Sequence, residues 1–234
     1  MLLLDREVQV LVQPNQSRYM VIELSEHQLY TGIRNPTVLA RQILAQATSP
    51  TPERTPRSPQ RPLFKAVVRR YFKGGRLSAR ARVDLEARIQ KAKRRERLAS
   101  QFANCRTMIG LFLSWDAKMP SPVRYVIEPT PADVLGWTIR VGHDHLSDSP
   151  DGLVLRQLVT DGSIMRAEHL RLFAVASLLH YEAANPGVEL AAVEVWQLRA
   201  GKRFTWTRRV LRRLIPDLGM RLGQLAAALA DDAA

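Results

Sequence analysis

Cysteine is nearly absent from this chain of 234 residues. Cys105 stands alone, so an intramolecular disulfide and a cysteine-built zinc or iron–sulfur centre are both excluded. It lies among Phe102, Met108 and Leu111 and reads as a small buried hydrophobe, with no His and Asn partner motif nearby to make a catalytic thiol. Long apolar runs are also missing. Met1 to Leu4 are followed at once by Asp5, Arg6 and Glu7, which fits neither a signal peptide nor a membrane span. The expectation is a soluble, cytoplasmic protein without a membrane partner. No Gly-rich phosphate loop, no G-x-S-x-G and no internal repeat is present.

What the middle of the chain lacks is acid. Residues 52–97 carry sixteen Lys or Arg against four acids, a local excess of +12 within a total net charge of +13. Charge of one sign at this density is the footprint of a surface that meets a phosphate backbone. The alternative is a solvated basic segment that contacts an acidic protein. Candidate phosphate contacts are Arg69, Arg70, Lys73, Arg76, Arg80 and Arg82, extended by Lys91, Lys93, Arg94, Arg95 and Arg97. Such contacts position a duplex or strand without reading its sequence. Tyr71 and Phe72 fall among these cations, but their helical spacing makes them core residues before base-stacking ones.

With hydrophobic residues at 46%, the chain has enough apolar surface for a sizeable core. Residues 1–48 read as a small N-terminal unit: "REVQVLVQ" and "RYMVIELSE" alternate as a β-hairpin joined by "PNQS", and "NPTVLARQILAQA" follows as a short helix. Residues 49–62 form a Pro-rich linker, with prolines at 50, 52, 56, 59 and 62. Residues 63–112 are a basic helical region, broken at Gly74 and Gly75. A long helix is expected from Ser78 to about Trp115. Residues 113–234 change character. "PVRYVIEP", "VLGWTIRVGHDHL" and "GLVLRQLVT" read as strands, "EHLRLFAVASLLHYEAA" as an almost wholly apolar helix, and "VELAAVEVWQLRAG" as a strand buried on both faces. A basic C-terminal helix, interrupted near Pro216, follows. The fold class is therefore α/β (or α+β): a central mixed sheet with flanking helices.

This order of elements resembles the core of the RecB-like and Cas4-like branch of the PD-(D/E)XK nuclease superfamily. The first family strand carries G-x-x-D, the second D-x-K, and the helix opens with Q-x-x-x-Y. Gly136-Trp137-Thr138-Ile139 stands at the first motif, Gln157-Leu158-Val159 at the second, and His169-Leu170-Arg171-Leu172-Phe173 at the third. The resemblance covers roughly Leu113 to Trp206 and implies a restriction-endonuclease-like core.

The departures bear on chemistry. The first-motif acid falls on Ile139 or Arg140, the second on Gln157, the lysine on Val159, and the helix glutamine on His169. Hydrolysis of a phosphodiester at such a site needs carboxylates to hold a divalent cation and a lysine to support the transition state. None is present at these positions, so the resemblance implies a scaffold without its reaction, with no catalytic residue, no metal site and no cofactor. The expected function is non-catalytic binding of DNA or RNA, with a protein partner in a larger complex of the kind found in DNA repair, CRISPR systems or phage defence. Two alternatives stay open. One is an active magnesium- or manganese-dependent nuclease whose acids have migrated to Asp133, Asp148, Asp151, Asp161 or Glu168. The other is a structural subunit that docks a partner through the apolar helix and "LGQLAAALA". "GHDHLSD" adds a minor metal reading, since His143 and His145 are expected on one side of a strand. His180, on the apolar helix, reads as a satisfied core histidine.

Overall fold

The computed structural model describes residues 22–48, 87, 99–116, 118, 122–159 and 166–231. The first strand of the N-terminal hairpin, the Pro-rich linker, the side chain of Cys105, Asp161 and all eleven candidate phosphate contacts lie outside the described residues.

Three antiparallel strands follow one another: β2 (Pro122–Val134), β3 (Trp137–Ser149) and β4 (Gly152–Val159). The first turn falls at Leu135 and Gly136, inside the segment read from sequence as a single strand beginning at Val134. Both residues take positive φ, 54° and 79°, and Asp133 Oδ1 accepts the Gly136 N–H at 3.2 Å. A two-residue turn of this handedness matches the twist of the strands it joins. β2 also runs through Pro129 and Pro131, which it tolerates because it pairs only with β3 and the register shifts between Ile127 and Thr130.

Helix α4 (Ala167–Ala184) carries the chain back to β5 (Leu190–Gln197), parallel to β4. A single 3-10 turn (Leu198–Ala200) and Gly201, at φ 62°, then reverse it into β6 (Lys202–Thr207), antiparallel to β5. β6 was not legible as a strand, because "KRFTWT" holds only two apolar positions, Phe204 and Trp206, before the helical pattern resumes. Helices α5 (Arg208–Arg212) and α6 (Ile215–Asp231) follow; the break between them confirms the interruption expected near Pro216.

The N-terminal segment joins the same sheet. β1 (Glu23–Ser25) pairs in parallel with β3, Leu24 opposite Ile139. Helix α1 (Glu26–Arg34) starts in a capping box, with Ser25 and Gln28 bonded reciprocally, and α2 (Pro36–Thr48) follows. The α1–α2 corner is tight: a Cβ on Gly32 would lie 2.9 Å from Leu39 Cδ2. The result is α+β, a mixed sheet ordered β1-β3-β4-β5-β6 with β2 on the other edge of β3, flanked by helices.

Helix α4 covers one face of the sheet. Its apolar periphery is consumed by α1, where Tyr30 stacks on Phe173 at 4.1 Å, and by α5, α6 and the strands. Leu218, Leu222, Leu225 and Leu229 form one stripe on α6 and are buried; α6 packs on α2, whose Leu39 and Ile43 belong to the same core. The segment expected to dock a protein partner is thus used within the chain. The opposite sheet face is covered by α3 (Ala99–Asp116) through Phe112 and Trp115. No described helix is long and apolar enough to cross a membrane.

Phe173 is fully buried at the centre of the larger core. Phe173→Ala is expected to lower the unfolding free energy by about 3–5 kcal/mol in urea denaturation. A loss below about 1 kcal/mol would contradict this packing.

Candidate functional site

One edge of β3 pairs with β2, and the other is shared. Its first half, at Thr138, Ile139 and Arg140, pairs with β1, whereas its second half, from His145 to Ser149, pairs with β4. Between the two, the Leu158 N–H of β4 is taken by a side chain, the carboxylate of Asp144, at 2.7 Å. The inward parity of β3 changes at the same place. Ile139, Val141 and Leu146 all belong to the core under α4, although Val141 and Leu146 are five residues apart. A strand that keeps strict alternation sends such a pair to opposite faces. The alternation of β3 is therefore broken around Asp144, although its pairing with β2 runs from His143 to Leu146 without a register shift.

The consequence corrects the expectation for the two histidines. His143 and His145 face opposite sides of the sheet: His143 bonds Gln157, and His145 bonds Arg156, the preceding residue of β4. They cannot act as a His-x-His metal pair. Among the described residues, no group of three or more His, Cys, Asp or Glu side chains is placed to hold a metal ion.

On the α4 side, the imidazoles form a chain with fixed proton positions. His180 Nε2 meets the carbonyl of Thr130 at 2.7 Å and must donate, which leaves Nδ1 as an acceptor. His143 Nε2, 3.0 Å away, then donates to it. His143 Nδ1 accepts from the Gln157 amide, whose nitrogen also reaches Ser177 Oγ at 3.3 Å. His143, Gln157, Ser177 and His180 are all buried. Burial holds His180 below the usual imidazole range, against the opposing pull of the Thr130 and Ile139 carbonyls. His180 is the satisfied core histidine that its place on an apolar helix suggested.

On the α3 side, Arg156 is 2% exposed. Its Nε donates to Glu194 Oε2 at 2.8 Å, its NH1 group donates to His145 Nδ1 at 3.0 Å, and its guanidinium lies 4.4 Å from the centre of the Trp196 ring. Burial, and then the Arg156 charge, pushes His145 well below the ordinary histidine range. A buried cation is here enclosed by a carboxylate, an imidazole and an aromatic face. Sequence reading missed it, because Glu194 is 38 residues away on a neighbouring strand.

The positions carried over from the nuclease resemblance fall in the core, at an ion pair, in a turn and at a helix start, and do not assemble into one site. Ile139 and Val159 are buried in the core, and Leu24 of β1 stands opposite Ile139. Gln157 is held by His143 and Ser177. Arg140 forms a two-pronged ion pair with Glu23, which raises its pKa through the hydrogen bond first. Gly136 shapes the β2–β3 turn, Phe173 is core, and His169 sits half-covered in the first turn of α4. Burial lowers the His169 pKa; Glu168 opposes this, and Arg221, Arg166 and Arg34 add to it. These residues do not fit a divalent cation. At the positions of the acids and the lysine, Ile139 and Val159 are aliphatic, Arg140 is a paired guanidinium, and the Gln157 amide is already bonded. Of the candidate migrated acids among the described residues, Asp133 lies near one end of β3 and Asp148 and Asp151 near the other, roughly 30 Å apart by strand rise. Glu168 is exposed at the start of α4.

No protein-family model matches the chain, and no curated protein matches it.

Two outcomes follow from the buried polar groups. Arg156→Met leaves Glu194 buried without its cation and is expected to cost about 3–5 kcal/mol, whereas adding Glu194→Leu should recover most of that loss. Equal stability of single and double variants in denaturant melts would contradict the arrangement. The pH dependence has a definite sign. His145 and His180 have folded pKa values below their unfolded ones, so their contribution is complete above about pH 6.5 and is lost as pH falls below it. The urea midpoint should drop between about pH 7 and pH 5, and drop less in a His180→Gln variant.

Proposed function

We propose that this chain is a non-catalytic nucleic-acid-binding protein, or a subunit of a larger assembly, built on a degenerate core of the RecB-like branch of the PD-(D/E)XK nucleases. The observation that supports the non-catalytic half is the burial of Gln157 and Val159, where the resemblance puts the second acid and the lysine, together with a buried Ile139 and an ion-paired Arg140 at the two positions open to the first acid. A metal-dependent hydrolase needs those positions charged and open to solvent. The order strand, turn, strand, helix, strand from β3 to β5 agrees with the family core, as does the parallel pairing of β4 with β5. The packing of β1 against the strand that carries the first motif positions supports the same reading.

The binding half rests on charge. The excess of +12 over residues 52–97 is far more than solubility requires and is concentrated in one stretch. Such a stretch binds by releasing counterions from phosphates, so its affinity falls steeply with salt and depends little on sequence.

The test is charge reversal in the full chain. Arg69→Glu, Arg70→Glu and Lys73→Glu together are expected to weaken binding of labelled DNA or RNA by tenfold or more at about 0.1 M salt, and to flatten the dependence of log affinity on log salt. Unchanged affinity and slope would refute this assignment.

A further inference from the structure

The β6 strand and the short helix after it carry charge that the fold does not use. Residues 199–213 include six arginines, one lysine and no acid. Some of this charge is neutralised within the protein. Arg208 pairs with Glu182 and Glu189, Arg212 pairs with Glu182, and Arg203 lies over the rings of Trp115 and Trp196. Arg199, Lys202, Arg209 and Arg213 remain. All four are exposed, and none forms an ion pair with a described residue. Arg199 and Lys202 stand at the β5–β6 turn. Arg209 and Arg213 stand beyond the other end of β6, one helical turn apart and on the same side.

Between these two pairs runs a sheet edge. β6 is the last strand, and no described strand covers its outer side, which leaves outward backbone N–H groups without a strand partner. Thr205 and Thr207 are exposed on the row that alternates with Phe204 and Trp206. The six residues of β6 cover about 20 Å, the length over which one strand of a duplex carries about six phosphates. Cations at both ends, with hydroxyls and amide donors between, are the groups that contact sugar–phosphate backbones.

We propose that the outer edge of β6, from Arg199 and Lys202 to Arg209 and Arg213, is a backbone-tracking site for a phosphodiester strand. The inference rests on the reading of the chain as a nucleic-acid binder and adds a second track, on the folded core, to the basic middle segment. An acidic peptide adding as a further strand is the competing occupant. It needs seats for alternate side chains, and the exposed row of β6 offers threonine hydroxyls instead of apolar seats. The predominance of arginine also favours phosphate, which its planar fork engages through two hydrogen bonds. A single lysine on an edge serves to discourage strand pairing between copies, but four unpaired cations at both ends exceed that need.

The full chain carrying R199Q, K202Q, R209Q and R213Q tests the site, with a labelled strand of roughly 20 nucleotides as DNA and as RNA, and a glutamate-rich peptide as competitor. The variant is expected to keep the wild-type thermal midpoint, to bind at least tenfold more weakly at about 0.1 M salt, and to lose about 3 from the slope of log affinity against log salt. Arg41→Gln, an exposed cation on α2 away from this edge, should change neither. Wild-type affinity and slope in the quadruple variant would overturn the edge site alone. Displacement of the nucleic acid by low concentrations of the peptide would assign the edge to an acidic protein. Failure of the wild-type chain to bind either nucleic acid would overturn the binding reading itself, and the edge site with it.

Discussion

The partner switch of β3 around Asp144 is the constraint on which the rest of this structure depends. A single strand edge serves β1 in its first half and β4 in its second, and the Leu158 amide freed between them is taken by a carboxylate instead of a backbone carbonyl. The accompanying change of parity puts His143 under α4 and His145 under α3. Each histidine then becomes the centre of a separate buried network. One fixes Gln157 against α4, and the other fixes Arg156 against Glu194 and Trp196. With unbroken alternation, both imidazoles would crowd one layer and leave a buried donor or acceptor unmatched on the other, a costly outcome on both sides.

The same switch makes room for β1. Because β4 leaves β3 before reaching its first half, the edge at Ile139 is open to another strand, and Leu24 fills the place opposite it. The helices attached to β1 then complete the larger core. Tyr30 stacks on Phe173, and α2 receives the leucine stripe of α6. The N-terminal segment therefore belongs to the hydrophobic core of the sheet domain, and it lies where the resemblance would place a reactive edge. The uncharged Ile139 and its cover by Leu24 of β1 go together. A buried aliphatic residue at Ile139 is favourable only when something apolar covers it.

The sequence made visible what depends on local pattern. Strands β4 and β5, helix α4 and the interruption near Pro216 could be read from runs of apolar residues and from turn residues, and the uncharged identities of Ile139, Gln157 and Val159 were plain. What stayed hidden depends on pairing across distance. The strand "RYMVIELSE" was read as half of a local hairpin, yet its end pairs in parallel with a strand more than a hundred residues away. Helix α1 had a readable capping box in Ser25 to Gln28, masked by the strand pattern just before it. The break in alternation at Asp144 leaves no compositional mark, so strict alternation puts both histidines on one face. Arg156 looked like a polar interruption of an apolar strand until Glu194 and Trp196 supplied its surroundings.

The most direct test of the central claim, a nuclease-like core that binds without cutting, is to titrate manganese into the intact chain while following a labelled DNA or RNA strand for both retention and cleavage across a salt series. The account predicts salt-dependent retention of a strand that stays intact, with no saturable manganese site. Stoichiometric manganese binding accompanied by cleavage would contradict it, and would mean that the buried positions around Gln157 are not where the reaction of this protein takes place.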